Sequence, residues 1–123
     1  MTLLDTNILI EIFRDNVVIT SIVDSLQEIA VCDVVRAELF YGARNKRDLQ
    51  EISADLDELT VLPLLPQISE MAVNLVKTYC LSHKLELADA LIAATAIFHH
   101  AELFTLNRKD FTYISDLQLY GPK

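Results

Sequence analysis

Asp5, Glu38 and Asp89 are carboxylates that each interrupt an apolar stretch near the start of an expected helix. A fourth segment, "TLNRKDF", adds Asn107 and Asp110 after another apolar stretch. Taken singly, each acid has an ordinary role as a helix cap, which a carboxylate fills well. Taken together, three acids at one place would repel one another unless a cation neutralised them.

The cation that suits these side chains is Mg²⁺ or Mn²⁺, because both prefer hard oxygen ligands. Such a metal can polarise a phosphodiester and lower the pKa of a bound water for in-line attack. His99 and His100 do not form a competing site, because adjacent residues point to different sides of a helix. Cys80 and His83 lie one helical turn apart without a second pair of ligands.

Alternating strands and helices are expected to position the acids. Strands are predicted at 1–5, 28–35, 60–64 and 102–106, with a last short one at 117–120, and helices at 6–16, 17–26, 35–46, 47–59, 66–85 and 88–100. This alternation predicts parallel pairing through right-handed crossovers, and therefore a three-layer α/β/α sandwich with a central parallel sheet. Ligands bind beyond the carboxyl ends of the strands in such sheets, which is where Asp5 is expected to lie.

The composition is typical of one folded domain spanning residues 1–123, with 52% hydrophobic residues, two Gly and three Pro. No apolar stretch reaches the ~18 residues needed to cross a bilayer and no leader precedes Asp5, so a cytoplasmic protein without membrane contact is expected. Cys32 and Cys80 are too far apart for a C-x-x-C pair and are expected to be reduced. The net charge of −8 opposes nucleic-acid binding unless carboxylates converge on a divalent metal.

Four segments occur in the order of the signatures of the PIN domain: "LLDTNILI", "AELFYGA", "LADALIAATAI" and "LFTLNRKDF". The chain resembles this family over nearly its whole length, and more closely it resembles the VapC-type toxin ribonucleases of type II toxin–antitoxin pairs. The resemblance implies Mg²⁺-dependent cleavage of RNA, with Asp5, Glu38 and Asp89 as metal-site acids. It also implies an antitoxin protein as partner and, together with apolar helices such as "ELFYGA" and "TYCLSHKL", a two-fold homodimer.

One departure from the family concerns its fourth acid, which often falls where this chain has Asn107. Either Asn107 contributes a neutral oxygen, or Asp110 reaches the site, or a second metal binds weakly. The resemblance also covers Thr6, as a hydrogen-bond partner of Asp5 or of a metal-bound water, and Asn7, as a helix cap.

Basic and aromatic residues near the acids are candidates for contacts with RNA. Arg36 and Arg108 are the best placed to bind substrate phosphate, whereas the run Arg44–Arg47 is either a phosphate contact or a solvated helix end. Tyr41 is expected to pack in the core or in a dimer rather than to stack on a base.

Three other functions compete with a nuclease. A phosphotransfer receiver needs an acceptor Asp after the middle strand, and "TVLPLLP" has none; a haloacid-dehalogenase-like phosphatase needs Asp where Asn7 stands. A catalytically silent PIN domain that binds RNA or protein remains as the alternative, because of Asn107. Metal-dependent cleavage that EDTA abolishes distinguishes the enzyme from this binding module.

Overall fold

Four short strands form one parallel sheet in the computed structural model, which describes residues 1–121. β1 (Thr2–Leu4) pairs with β2 (Ile29–Cys32) on one side and with β4 (Glu102–Phe104) on the other, and β3 (Thr60–Leu62) lies outside β2. The predicted parallel sheet is confirmed. The expected last strand at 117–120 is wrong, because this segment contributes only one parallel bridge, from Leu119 to Leu103.

Helices make all three connections between the strands. They are α1 (Thr6–Phe13) and α2 (Val17–Asp24) after β1, α3 (Asp33–Tyr41) and α4 (Lys46–Leu56) after β2, and α5 (Pro66–His83) and α6 (Leu87–Phe98) after β3. A 3-10 turn, Arg108–Asp110, follows β4. Because such crossovers are right-handed, α1–α4 cover one face of the sheet and α5 and α6 cover the other. The architecture is the predicted α/β/α sandwich.

The core lies on both sides of the sheet. Successive side chains of a strand point to opposite faces, and Leu3 and Leu4 of β1 both have zero exposure. Ala30 and Val31 of β2 show the same burial. Both faces are therefore covered by helices, as a parallel sheet requires.

The boundary between β2 and α3 differs from the prediction of a strand over 28–35. The strand stops at Cys32, and Asp33 begins α3, where an acid in the first turn is favourable to the helix dipole. The helix then ends at Tyr41 instead of continuing to residue 46. Asn45 starts the separate helix α4, accepting a hydrogen bond from the Asp48 N–H at 2.8 Å. As a result Glu38 lies in the second half of α3, not early in a helix.

The two cysteines are free thiols, Cys32 buried and Cys80 half-buried. Within residues 1–121, no helix combines the length and the apolar character that crossing a membrane requires.

Candidate active site

The order of the strands creates a crevice between β1 and β4. The chain steps from β1 to β2 to β3 in one direction and then returns across the sheet to β4, so the connections reverse between β1 and β4. Ligands of open parallel sheets bind at such a reversal, beyond the carboxyl ends of the strands. Leu4 is in register with Phe104, and the Asp5 N–H donates to the Phe104 carbonyl at 3.0 Å. Asp5 and Thr105 are thus the first residues beyond the two strand ends.

Asp5 is a buried carboxylate, 6% exposed, whose two oxygens are both held. Its Oδ1 accepts a hydrogen bond from the Thr6 N–H at 2.8 Å, which makes it the N-cap of α1. Its Oδ2 accepts from the hydroxyl of Thr105 at 2.7 Å. The capping role and the membership of an acidic cluster are therefore not alternatives, because Asp5 does both.

Thr105 and Asn7 join the loop after β4 to the start of α1. The buried Thr105 Oγ1 accepts from the Asn107 N–H at 3.0 Å and from the Asn7 amide at 3.4 Å. The Asn7 Oδ1 accepts from the Leu106 N–H at 3.1 Å. The expectation that Asn7 caps the helix is wrong, since Asp5 is the cap. The strand register would have revealed Thr105, because residue 105 must adjoin residue 5 once β1 and β4 pair.

Thr6 connects Asp5 to Glu38. The Thr6 hydroxyl donates to the Glu38 Oε1 at 2.6 Å, while the Thr6 backbone N–H donates to Asp5. The predicted hydrogen bond from Thr6 to Asp5 is thus present through the backbone, while the hydroxyl goes to Glu38. Glu38 is exposed on α3, and this contact holds its carboxylate toward the crevice.

Repulsion among the acids contributes to the raised pKa values of Asp5 and Asp89. Burial raises the pKa of Asp5, and the charges of Glu38 and Asp110 raise it further, against the opposing effect of the Thr105 and Thr6 hydrogen bonds. Burial, as the largest cause, and the charges of Asp5, Asp110 and Glu38 together raise the pKa of the half-buried Asp89 to about 6. The structure therefore brings Asp5, Glu38, Asp89 and Asp110 into one electrostatic cluster, which we call the acidic cluster.

Asn107 contributes to the crevice through its backbone. Its N–H donates to Thr105, its carbonyl accepts from the Asp110 N–H at 3.0 Å, and its side chain is exposed. Of the two candidates for a fourth acidic position, Asp110 is the one whose charge raises the pKa of Asp5 and of Asp89.

The donors of the acidic cluster suit a hard divalent cation, because they are carboxylate oxygens that repel one another. As the side chains are arranged here, no three carboxyl, imidazole or thiol groups of residues 1–121 converge closely enough to hold one ion. Glu38 is exposed and has a single side-chain hydrogen bond, from the Thr6 hydroxyl, whereas Asp5 is buried and both of its oxygens accept hydrogen bonds. The chemistry of the cluster fits Mg²⁺ or Mn²⁺.

The arginines near the cluster already have partners. Arg36 pairs with Asp33 at 2.9 Å, and the Arg108 Nη1 donates to the Tyr120 carbonyl at 2.8 Å. In the run Arg44–Arg47, the two arginines pair with acids one turn further along α4, Arg44 with Asp48 and Arg47 with Glu51. This run is the exposed start of a helix, where solvent screens its ion pairs.

Two grooves adjoin the cluster. A groove of about 320 Å³ includes Asp89 and Asp110 in its lining, and is completed by the segment after α5 and by Tyr113. A second groove, of about 500 Å³, starts at Glu38 and runs between α1, α3 and α4. Tyr41, at the end of α3, is 93% exposed, so of its two expected positions, the core or a dimer interface, the core is excluded.

The chain is similar to known proteins along most of its length. The model of the PIN domain family matches residues 2–117. The ribonuclease VapC19 of Mycobacterium tuberculosis is 32% identical over 123 residues, covering 96% of this chain and 98% of the relative.

Solved structures show the same fold. A chain of a toxin–antitoxin complex from Klebsiella pneumoniae superposes with a TM-score of 0.81 and 30% identity, covering 95% of each chain. A chain of VapBC-1 from nontypeable Haemophilus influenzae superposes with a TM-score of 0.82 and 27% identity, covering 96% of this chain and 95% of that one.

Proposed function

Because this chain belongs to the PIN domain family, we propose that it is an endoribonuclease and the toxin of a toxin–antitoxin pair. The observation that carries the proposal is the acidic cluster at the β1–β4 crevice, where the pKa of Asp89 is raised to about 6. The identity with a ribonuclease along almost the full length of both chains supports the reaction, and the likeness to a toxin–antitoxin complex supports the biological role.

The cofactor we propose is Mg²⁺ or Mn²⁺, held by Asp5, Glu38 and Asp89. Bound metal would supply positive charge to the scissile phosphate and lower the pKa of the attacking water. Asp5 is the fixed member, because Thr105 and the Thr6 N–H hold its carboxylate at the end of β1. Asp110 adds negative charge from the loop after β4, and it takes the place that we assign to the fourth acid.

Contacts to the RNA backbone would come from basic residues around the cluster. Arg36 is on α3, as Glu38 is, and would exchange its partner Asp33 for a phosphate. Arg108 keeps free N–H groups while one nitrogen bonds Tyr120, since a guanidinium has five such donors. These two arginines remain our proposed substrate ligands, together with Thr6.

The test of this proposal is cleavage of single-stranded RNA with Mg²⁺ or Mn²⁺. Cleavage should leave a 5′-phosphate and a 3′-hydroxyl, and EDTA should abolish it. A substrate with every 2′-hydroxyl methylated should still be cut, because water is the nucleophile. Resistance of that substrate, with binding intact, would overturn the proposed chemistry.

A matched pair of variants connects the activity to the cluster. Asp5→Asn should abolish cleavage and leave the fold intact, because it removes charge and keeps the shape of the side chain. Asp24→Asn makes the same change at an exposed residue at the end of α2 and should cleave like the wild type. Equal activity of the two variants would exclude Asp5 from the reaction.

A silent PIN domain that binds RNA without cutting it is the second candidate. It is favoured by Asn107, which puts an exposed amide where the family often has an acid. Binding of RNA with no cleavage in Mg²⁺ or Mn²⁺ by the wild type would support this function over the nuclease.

We propose two protein contacts. The first is an antitoxin seated in the 500 Å³ groove, where the apolar side chains of Ile10, Phe13 and Leu39 lie beside charged ones. A small adjacent reading frame whose product binds this chain and inhibits cleavage would support it. Leu39 is buried in the core, so a charge at Ile10, which is exposed, is the appropriate disrupting change.

The second contact is a two-fold homodimer, since Tyr41 and Leu81 are 93% and 95% exposed. A monomeric mass by light scattering at high micromolar concentration would contradict it. We also propose a cytoplasmic location, because the free thiols of Cys32 and Cys80 suit a reducing compartment.

A further inference from the structure

The 320 Å³ groove beside the acidic cluster carries an aromatic platform, which consists of the rings of His83 and Tyr113. The two rings are stacked, with centroids 3.8 Å apart and an interplanar angle of 10°. Tyr79 supports Tyr113 edge-on, with centroids 5.0 Å apart. Tyr113 packs against the core and covers one face of the His83 imidazole, and Tyr79 meets that imidazole edge-on with centroids 6.1 Å apart. His83 is nevertheless exposed, which leaves its other face as the surface for stacking.

The platform shares its groove with acids and with free cations. Asp89 and Asp110 of the acidic cluster line the groove, so it is continuous with the proposed reaction site. Lys84 and Lys109 line it too, and neither forms an ion pair with any part of residues 1–121. By contrast, the arginines near the cluster are each engaged.

We propose that this groove is a nucleobase subsite, in which one base of the RNA strand stacks on the open face of His83. The inference rests on the proposed nuclease function for the identity of the strand. A planar ring stacked on an imidazole extends the existing His83–Tyr113 stack, and such stacking accepts any base because every base has a π-face. Lys84 and Lys109 would then contact the phosphates on either side of that nucleotide.

A nucleobase fits the groove better than other occupants do. The volume of about 320 Å³ is at the lower end of the range for small-ligand sites and suits one nucleotide rather than a helix of a partner protein. Three carboxylates in the lining, from Glu86, Asp89 and Asp110, oppose a purely electrostatic site for phosphate. Stacking on an aromatic ring provides binding that these charges do not oppose.

The test compares the RNA affinities of the wild type and of variants, each measured with and without one base in the RNA. Each oligoribonucleotide is paired with a copy that lacks one base near the cleaved bond, and affinities are read by fluorescence anisotropy with Ca²⁺ in place of Mg²⁺. For the wild type, removing the base at one position should weaken binding about 5- to 150-fold, which is the range for stacking of a base on an aromatic ring. For His83→Asn, removing the same base should change the affinity less than about twofold, because the ring that meets the base is lost and the remaining Tyr113 ring lies one stacking distance, 3.8 Å, further from it.

Two further variants make the comparison specific. His83→Phe keeps a ring at the position and should restore the penalty for base removal. His100→Asn removes an exposed imidazole beyond the opposite end of α6 and should behave like the wild type; Asn tolerates the left-handed backbone there, where φ is 54°. Circular dichroism of each variant verifies that the fold is intact.

The outcomes separate this inference from the proposed function. An equal penalty for base removal in the wild type and in His83→Asn, at every position, overturns the subsite. If the wild type cuts RNA under that result, the nuclease still stands. If the wild type never cuts RNA yet shows the predicted pattern, the subsite stands and the nuclease is overturned. Absence of RNA binding by the wild type would overturn both.

Discussion

Asp89→Asn should make the protein more stable while it removes nuclease activity. Asp89 is half-buried in the first turn of α6, and its pKa is raised from 3.8 to about 6. Burial is the main cause, followed by the charges of Asp5, Asp110 and Glu38. The ionised form of Asp89 therefore opposes folding at neutral pH when no cation is bound, and Asn removes the charge without removing the side chain.

The magnitude follows from the difference between the two pKa values. A tenfold change in proton affinity corresponds to about 1.4 kcal/mol, so the change from 3.8 to about 6 sets an upper limit of about 3 kcal/mol. Asp89 is only half-buried, and solvent screens part of this effect. We expect Asp89→Asn to raise the free energy of unfolding by about 1 to 2 kcal/mol at pH 7.5 in EDTA.

The difference in stability between the wild type and Asp89→Asn should depend on pH, and the raised pKa determines its direction. A carboxyl whose pKa is raised by folding binds more protons in the native state, so its stabilising contribution is full below about pH 4 and is lost as the pH rises through about 6. The wild type and Asp89→Asn should thus be almost equally stable at pH 4. The difference should open between pH 4 and 6 and stay constant above that.

Urea unfolding followed by circular dichroism, at several pH values in EDTA, measures this difference. Mg²⁺ should stabilise the wild type in proportion to its binding and leave Asp89→Asn nearly unchanged. Asp24→Asn serves as the control, because Asp24 is exposed at the end of α2. A wild type that is more stable than Asp89→Asn at pH 7.5, or a difference that does not change with pH, would refute the reasoning.

Three further changes probe the residues around the cluster. Thr105→Val removes the hydroxyl that donates to the buried Asp5 at 2.7 Å, so the free energy of unfolding should fall by about 1.5 to 3 kcal/mol in urea titrations, whereas Thr105→Ser should retain most of it. Lys84 has a left-handed backbone with φ 55°, which costs less for glycine than for lysine. Lys84→Gly should therefore raise the free energy of unfolding by about 0.5 to 1 kcal/mol, a gain that Lys84→Ala should lack. Asn107→Asp should raise the affinity for Mn²⁺ in calorimetry if a missing acid limits metal binding; unchanged affinity would assign that place to Asp110.

The gathering of the acids could be predicted from the sequence because it depends on topology. Asp5 directly follows a buried strand, Asp89 lies where a helix begins, and parallel strands end at one edge of the sheet. These relations hold even where the predicted ends of the helices and strands are wrong by several residues. The prediction therefore placed Glu38 in the crevice even though α3 begins at Asp33, two residues earlier than expected.

The contacts that hold the acids could not be predicted in this way, because they depend on exact register. Thr105 meets Asp5 only because Leu4 pairs with Phe104, and a shift of one residue would turn its side chain to the other face. Arg108 donates to the backbone carbonyl of Tyr120, and a contact to a backbone carbonyl has no signature in the sequence. The exposure of Tyr41 similarly depends on where α3 ends, and residue type does not determine that.

The charge of the chain connects the two proposals. With a net charge of −8, the surface repels RNA, and the acidic cluster adds to that repulsion where the phosphate must lie. A divalent cation would offset the charge of the cluster only locally. Binding that does not depend on charge is then needed nearby, and the stacked rings of His83 and Tyr113 offer it in the groove that Asp89 also lines. Affinity for RNA should therefore fall less steeply with salt than in nucleases that bind through a basic face, and removal of the His83 ring should make the remaining binding weaker and more dependent on Lys84 and Lys109.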